Sequence, residues 1–149
     1  MDDPLFKSEQ HTISRRHAVF EDDDTTGYLY LTRPDEPTPA ADCWLYNRIP
    51  APGGDVIEDY MRRGVPPPVI VEFAGPGAQY SGQPPDVRFV WSDDGEAVAC
   101  EVDGAMLGFI ALKESERGYS RHLLNESAWG NPWNEELYSR VFEDEGERQ

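Results

Sequence analysis

Between Val87 and Leu112 apolar residues recur with a period of two, and Asp-Gly pairs interrupt the alternation twice, which predicts three consecutive β-strands. Asp93-Asp94-Gly95 separates Trp91 from Ala97, and Asp103-Gly104 separates Val102 from Ala105. A two-residue hairpin loop needs positive φ at both positions, and Asp-Gly supplies it at low steric cost. Setting Val102 opposite Ala105 puts Cys100 opposite Leu107 and Val98 opposite Phe109, an apolar row on one face. The other face then carries Ala97, Ala99, Gly108 and Ile110, and a three-residue first turn brings Trp91 and Phe89 beside them. Both faces are expected to be covered.

Ahead of this meander, residues 1–16 are polar and without period, and read as a mobile arm. His17–Glu21 and Tyr28–Arg33 flank Asp22-Asp23-Asp24-Thr25-Thr26-Gly27, a hairpin with an acidic loop. Cys43–Ile49 and Val69–Ala74 (VIVEFA) are further β-prone runs, the second introduced by the stiff spacer Pro66-Pro67-Pro68. Asp55–Arg63 places Val56, Ile57, Tyr60 and Met61 at helical spacing, with Asp55 as N-cap and Gly64 just beyond the end. Residues 75–85, GPGAQYSGQPP, form a loop. Asn131-Pro132 starts the strongest helical pattern, with Trp133, Leu137, Tyr138, Val141 and Phe142 on one face suited to the small residues Ala99 and Gly108.

The pattern predicts an α+β fold: a curved antiparallel sheet of about six strands, a C-terminal helix packed on one side and one short additional helix. The organisation is an arm at 1–16, a single domain over 17–142 and an acidic tail at 143–149.

Composition changes the picture in three ways. The 149 residues suffice for one core, and four Trp, seven Tyr and six Phe supply large apolar area although the hydrophobic fraction is only 38%. The net charge of −16 repels nucleic acid and anionic membranes and favours a basic partner, though acid on a surface also serves solubility alone. The N-terminal segment lacks an apolar signal core and no run approaches a membrane span, so the chain reads as cytoplasmic.

Enzyme motifs are lacking. Cys43 and Cys100 are too few for a disulfide framework and sit in apolar runs, as buried free thiols do. His11, His17 and His122 have no partner at metal-ligand spacing, and the three aspartates at 22–24 lack the alternation of a calcium loop, so neither a metal nor a cofactor is expected. There is no G-x-S-x-G elbow and no phosphate-cradling glycine motif. His122 with Arg121 and Tyr119 is the most site-like histidine context. Trp44, Tyr46, Trp129 and Trp133 read as core before they read as pocket walls.

Four stretches, HAVFEDDDTTGYLY (17–30), Trp44-Leu45-Tyr46-Asn47, VWSDDGEAVACEVDG (90–104) and Gly118-Tyr119-Ser120-Arg121, resemble a family of small bacterial proteins described as a domain of unknown function. The resemblance implies a single-domain cytoplasmic α+β protein and carries over no catalytic residue. The long Pro/Gly-rich inserts and the acidic tail depart from it.

Two functions follow as expectations. The first is a non-enzymatic acidic binding protein, an immunity or antitoxin-like inhibitor of a basic protein, whose contacts are Asp22, Asp23, Asp24, Asp93, Asp94 and Glu96 in accessible turns. The second is a small-molecule-binding or minor metabolic protein with its site at a sheet mouth near residues 75–86.

Overall fold

Alternation with a period of two gives each strand one face to bury, and the chain uses it to bring two sheets together over a shared interior. The structure, a computed structural model, describes residues 5–82 and 85–143. β1 (Leu5–Gln10), β2 (His17–Asp22), β3 (Thr26–Thr32) and β4 (Pro39–Asn47) form an antiparallel sheet in chain order. β5 (Val87–Trp91), β6 (Ala97–Val102), β7 (Ala105–Ala111), β8 (Tyr119–Ser120) and β9 (Asn131–Pro132) form the second, antiparallel except between β8 and β9. The fold is mixed α+β, but the expected single sheet of about six strands is two sheets.

Phe20, Leu29, Leu31, Cys43 and Tyr46 of the first sheet meet Val98, Cys100, Val102, Leu107 and Ile110 of the second. Each large side chain so buried contributes roughly 1.5–3 kcal/mol. Gly108 lets the sheets approach, because a Cβ there would stand 2.6 Å from Cys43 Sγ. Lys7 Nζ donates to the Val87 carbonyl and ties β1 to β5. At the opposite edge the Gly118 N–H donates to the Asp42 carbonyl.

The three strands of the meander form where expected, and Val102 faces Ala105. The facing rows differ. A β-bulge beyond Glu101 places Cys100 opposite Gly108 and Ala99 opposite Phe109, so Ile110 joins the interior and Phe109 turns to the outer face. In the first turn, Ser92 pairs with Ala97 around four residues rather than three. That one extra residue inverts the parity, and Trp91 and Phe89 face the interior with Val98 and Cys100 instead of the small residues.

VIVEFA is not a strand. Asn47, fully buried at the end of β4, accepts the Val69 N–H on Oδ1 (3.0 Å) and donates Nδ2 to the Val69 carbonyl (2.9 Å). The Phe73 and Ala74 N–H groups then turn back onto the Ile70 carbonyl. The edge of β4 is occupied by residues 78–80 instead, through Asn47 N to Ala78 O and Tyr80 N to Asn47 O. High β-propensity does not make a strand where the available edge is already paired.

The helices are shorter than expected. α1 spans Ile57–Arg63 after a 3-10 turn at Gly54–Val56; its N-cap is Val56, not Asp55, while Gly64 closes it at φ 70° as expected. Asn131 does not cap the C-terminal helix, because its N–H donates to the Gly118 carbonyl and Pro132 ends β9. Asn134 is the cap, its Oδ1 accepting from Leu137 N (3.0 Å), and α2 (Glu135–Tyr138) continues into a π-type turn over Ser139–Glu143. Leu137, Tyr138, Val141 and Phe142 nevertheless cover Ala97, Ala99, Phe109 and Ala111. Leu5–Gln10, read as part of an arm, is a strand along β2. Residues 144–149 of the expected tail lie outside the described residues. No helix among the described residues is long and apolar enough to cross a membrane.

Candidate functional site

The six acidic residues singled out from the sequence are not brought together. Asp22 and Glu96 lie toward opposite ends of β2, because Glu96 pairs with Arg16 just ahead of the strand (3.0 Å) while Asp22 closes it. The length between them is roughly 17–20 Å at the usual rise per residue.

Asp22 is not a surface contact at all. Its side chain is 0% exposed, pairs with Arg48 at 2.7 Å and accepts the Tyr46 hydroxyl. Thus the alternation that put Phe20 inside put Asp22 inside as well. Asp23 holds the turn by accepting from the N–H groups of Thr25 and Thr26 (both 3.0 Å), and Asp24 is exposed at φ 73°.

Asp93, Asp94 and Glu96 line a cleft of about 530 Å³ with Glu114, Lys113 and Arg140. Asp94 accepts from Ser92 Oγ (2.8 Å), from Glu96 N (3.0 Å) and from Lys113 Nζ (2.8 Å). Burial alone would raise its carboxyl pKa, but Lys113 and these N–H and O–H donors outweigh it and hold the group down at about 2. Its cations lie beside its carboxylates, so the cleft is a mixed ion-pair surface.

A second groove, also about 530 Å³, opens on the outer face of the first sheet. Two cross-strand rows share that face, Phe6, Glu21, Tyr28, Trp44 and Ser8, Val19, Tyr30, Asp42, and of these Tyr28, Tyr30 and Asp42 line the groove. Ile57 and Met61 of α1, the strap Gly64–Pro67, and Ala128-Trp129 make its walls. Tyr28 and Tyr30 stack with ring centroids 5.9 Å apart and planes 12° apart. The Tyr28 hydroxyl (2.7 Å) and Trp129 Nε1 (3.2 Å) both donate to the Pro67 carbonyl, which fixes the strap across one end.

The groove is negative as well as aromatic. Burial raises the Tyr30 hydroxyl pKa, and the carboxylates of Glu21, Asp42 and Asp23 push it further. Asp42 reaches solvent on one side, yet the protein around its carboxyl raises that pKa too, with Arg117 pulling it partly back. Arg117 Nη1 is itself engaged by the Ser127 carbonyl at 3.0 Å. The arginines of α1 are held elsewhere: Arg62 and Arg63 both pair with Asp59.

The described residues of 75–86 do not line this groove. Ala78 is buried and Gln79 bridges to Asn47, so the described part of that loop closes the edge of β4. Nor do the residues around His122 form one site. Its ring lies against Gly77, whereas Tyr119 stacks on Phe109 (4.9 Å) and Arg121 lies over Trp133 (3.7 Å) on the other cluster. Of the aromatics noted in the sequence, Trp129 lines the groove, Trp44 and Tyr46 are buried, and Trp133 packs against Phe109. No group of three or more metal-ligating side chains stands together among the described residues. Cys43 and Cys100 are both buried and free.

The sequence reading missed Tyr30 and Asp42. Their signal was the hairpin parity: with Phe20, Leu29 and Leu31 inward, Tyr30 must point outward. Compared with family models, curated proteins and solved structures, the chain matches none.

Proposed function

We propose that this chain is a non-enzymatic acidic binding protein, an immunity or antitoxin-like inhibitor whose partner is a basic protein, and that the aromatic groove of the first sheet is its seat. The observation that carries the reading is the surroundings of Tyr30: an open aromatic floor with Glu21, Asp23 and Asp42 around it. Aromatic faces attract cations, and the net charge of −16 speeds encounter with a positive surface.

Of the residues named from the sequence, Asp23 contributes to the field at the groove, and Asp93, Asp94 and Glu96 contribute to the overall charge at the far end. Asp22 is withdrawn from the contact set. The test is biolayer interferometry against a panel of basic proteins, with wild type, Asp42→Asn and Tyr30→Ala. A binder from the panel should weaken about tenfold between roughly 50 and 300 mM salt and weaken again in both variants. Binding indifferent to salt, or equal in all three proteins, overturns the proposal.

A small-molecule ligand is the second reading, and the groove supports it better than a sheet mouth at 75–86: about 530 Å³ lies within the usual size of ligand pockets. A thermal-shift screen against metabolites should then give a stabilised hit that Tyr30→Ala abolishes. A blank screen leaves the protein-partner reading in place.

A further inference from the structure

We propose that the groove recognises one side chain of the partner, an arginine lying flat on Tyr30 with its guanidinium on the Asp42 carboxylate, flanked by an apolar residue on Met61 and Ile57. This rests on the reading of the groove as the seat of a basic partner.

The chain itself shows the chemistry on the opposite side of the same sheet. There the Arg48 guanidinium lies 5.4 Å from the Tyr46 ring and 4.8 Å from the Tyr80 ring, and Nε donates to Asp22 at 2.8 Å. Two tyrosines and an aspartate hold one arginine. On the outer face the same three group types recur: Tyr28 is buried beneath the strap and stacks on the half-buried Tyr30, and the exposed Asp42 is the directly opposed cross-strand partner of Tyr30.

Shape favours arginine over lysine. The Tyr28 and Tyr30 rings stack with planes 12° apart, and a planar, weakly hydrated guanidinium can continue such a parallel stack where a compact, strongly hydrated ammonium cannot. The carboxylate of Asp42, cross-strand from Tyr30, can accept two parallel N–H bonds from the guanidinium fork, a geometry lysine lacks. Among the described residues Arg117 is the cation that draws on the Asp42 carboxyl, but its Nη1 donates to Ser127 O; Arg62 and Arg63 pair with Asp59, and Arg63 also lies over Tyr60.

The apolar requirement comes from α1. Met61 is 64% exposed and Ile57 half-buried, and both line the groove beside Val65 and Pro66. A residue next to the arginine would cover apolar surface that the described residues leave exposed at Met61. Phe6, 65% exposed, lies in the row of Glu21 and Tyr28 on the same face of the sheet.

The test is titration of the ¹⁵N-labelled full chain with three acetylated, amidated pentapeptides, Gly-Leu-Arg-Leu-Gly and its lysine and citrulline counterparts, followed by amide shifts. The arginine peptide should move the amides of Tyr30, Asp42 and Met61 and bind about five- to tenfold more tightly than the lysine peptide. Citrulline, flat but uncharged, should lose most of the binding. Asp42→Asn, which keeps size and shape, should reduce the arginine peptide to the level of citrulline, with resonances away from the groove unmoved. Equal binding of arginine and lysine overturns the arginine assignment and leaves the broader basic-partner reading standing. Equal binding of citrulline overturns recognition by charge. No shift at groove amides with any peptide up to about 10 mM overturns both, since a site built for this side chain should register it well below that concentration.

Discussion

Replacing Asp22 by alanine should cost this protein its fold before it costs it a partner. The carboxylate has no exposure and Arg48 is only 6% exposed, so removing either partner strands a buried group. Asp22 Oδ2 receives Arg48 Nε at 2.8 Å and the Tyr46 hydroxyl, while Oδ1 receives the Asp24 N–H at 2.9 Å. Arg48 Nη2 lies 2.7 Å from the same Oδ2 but off the hydrogen-bonding direction, so that contact is an ion pair and not a further hydrogen bond. Breaking a buried pair from one side costs about 3–5 kcal/mol, against a total of about 5–15 kcal/mol for a typical domain. At about 2–4 °C per kcal/mol for a chain of this size, Asp22→Ala should lower Tm by roughly 6–20 °C. Urea and thermal unfolding followed by tryptophan fluorescence measure it. Asp24→Asn, at an exposed turn position that asparagine tolerates, should stay within about 0.5 kcal/mol of wild type. Asp22→Asn combined with Arg48→Met should cost at least about 1 kcal/mol less than the sum of its single changes, because the two residues share one interaction. Additive costs, or an Asp22→Ala protein as stable as Asp24→Asn, would refute the reasoning.

Three further outcomes follow from particular contacts. Asn47→Leu leaves Trp44 Nε1 and both backbone groups of Val69 without partners and should cost about 2–5 kcal/mol; trypsin should then cut faster at Arg62 and Arg63, mapped by mass spectrometry. The Cys43 thiol, pushed up to about 12 by burial although Ser120 draws it partly down, should not react with a disulfide reagent at pH 8, and both cysteines should react once urea unfolds the chain. Asp94 titrates in the unfolded chain near its ordinary 3.8 and in the folded chain near 2, so the unfolded state binds more protons between those values and stability falls as pH falls through them. In Asp94→Asn that part of the acid limb should flatten; an unchanged slope between about pH 4 and 2 would contradict the assignment.

For β5, β6 and β7 local chemistry was enough to place the strands. Asp103-Gly104 adopts positive φ at both positions, 51° and 85°, as a two-residue hairpin demands, and Val102 faces Ala105 accordingly. The face each residue takes was not so legible. One bulge beyond Glu101 and one extra residue in the turn after Ser92 exchanged Phe109, Ile110, Phe89 and Trp91 between inside and outside, since a period of two turns any single insertion into a reversal.

The candidate site divides in the same way. Composition supplied the negative field and the aromatics, and the hairpin at 17–32 supplied the strands that carry Tyr28 and Tyr30. That Asp42 stands beside Tyr30 depends on the register of β4, and the walls of the groove depend on α1 and Trp129 meeting across the sheet.

From residue order alone came β2, β3 and β5 to β7, their hairpin turns and the charge, because each depends on neighbours a few positions apart. Tertiary structure alone decided that VIVEFA is a turn held by Asn47, that Asn134 and not Asn131 caps α2, and that Asp22 is a buried strut. Those outcomes turn on which backbone edges and which cations are already engaged by distant segments, and those partners are set by contacts far apart in the chain.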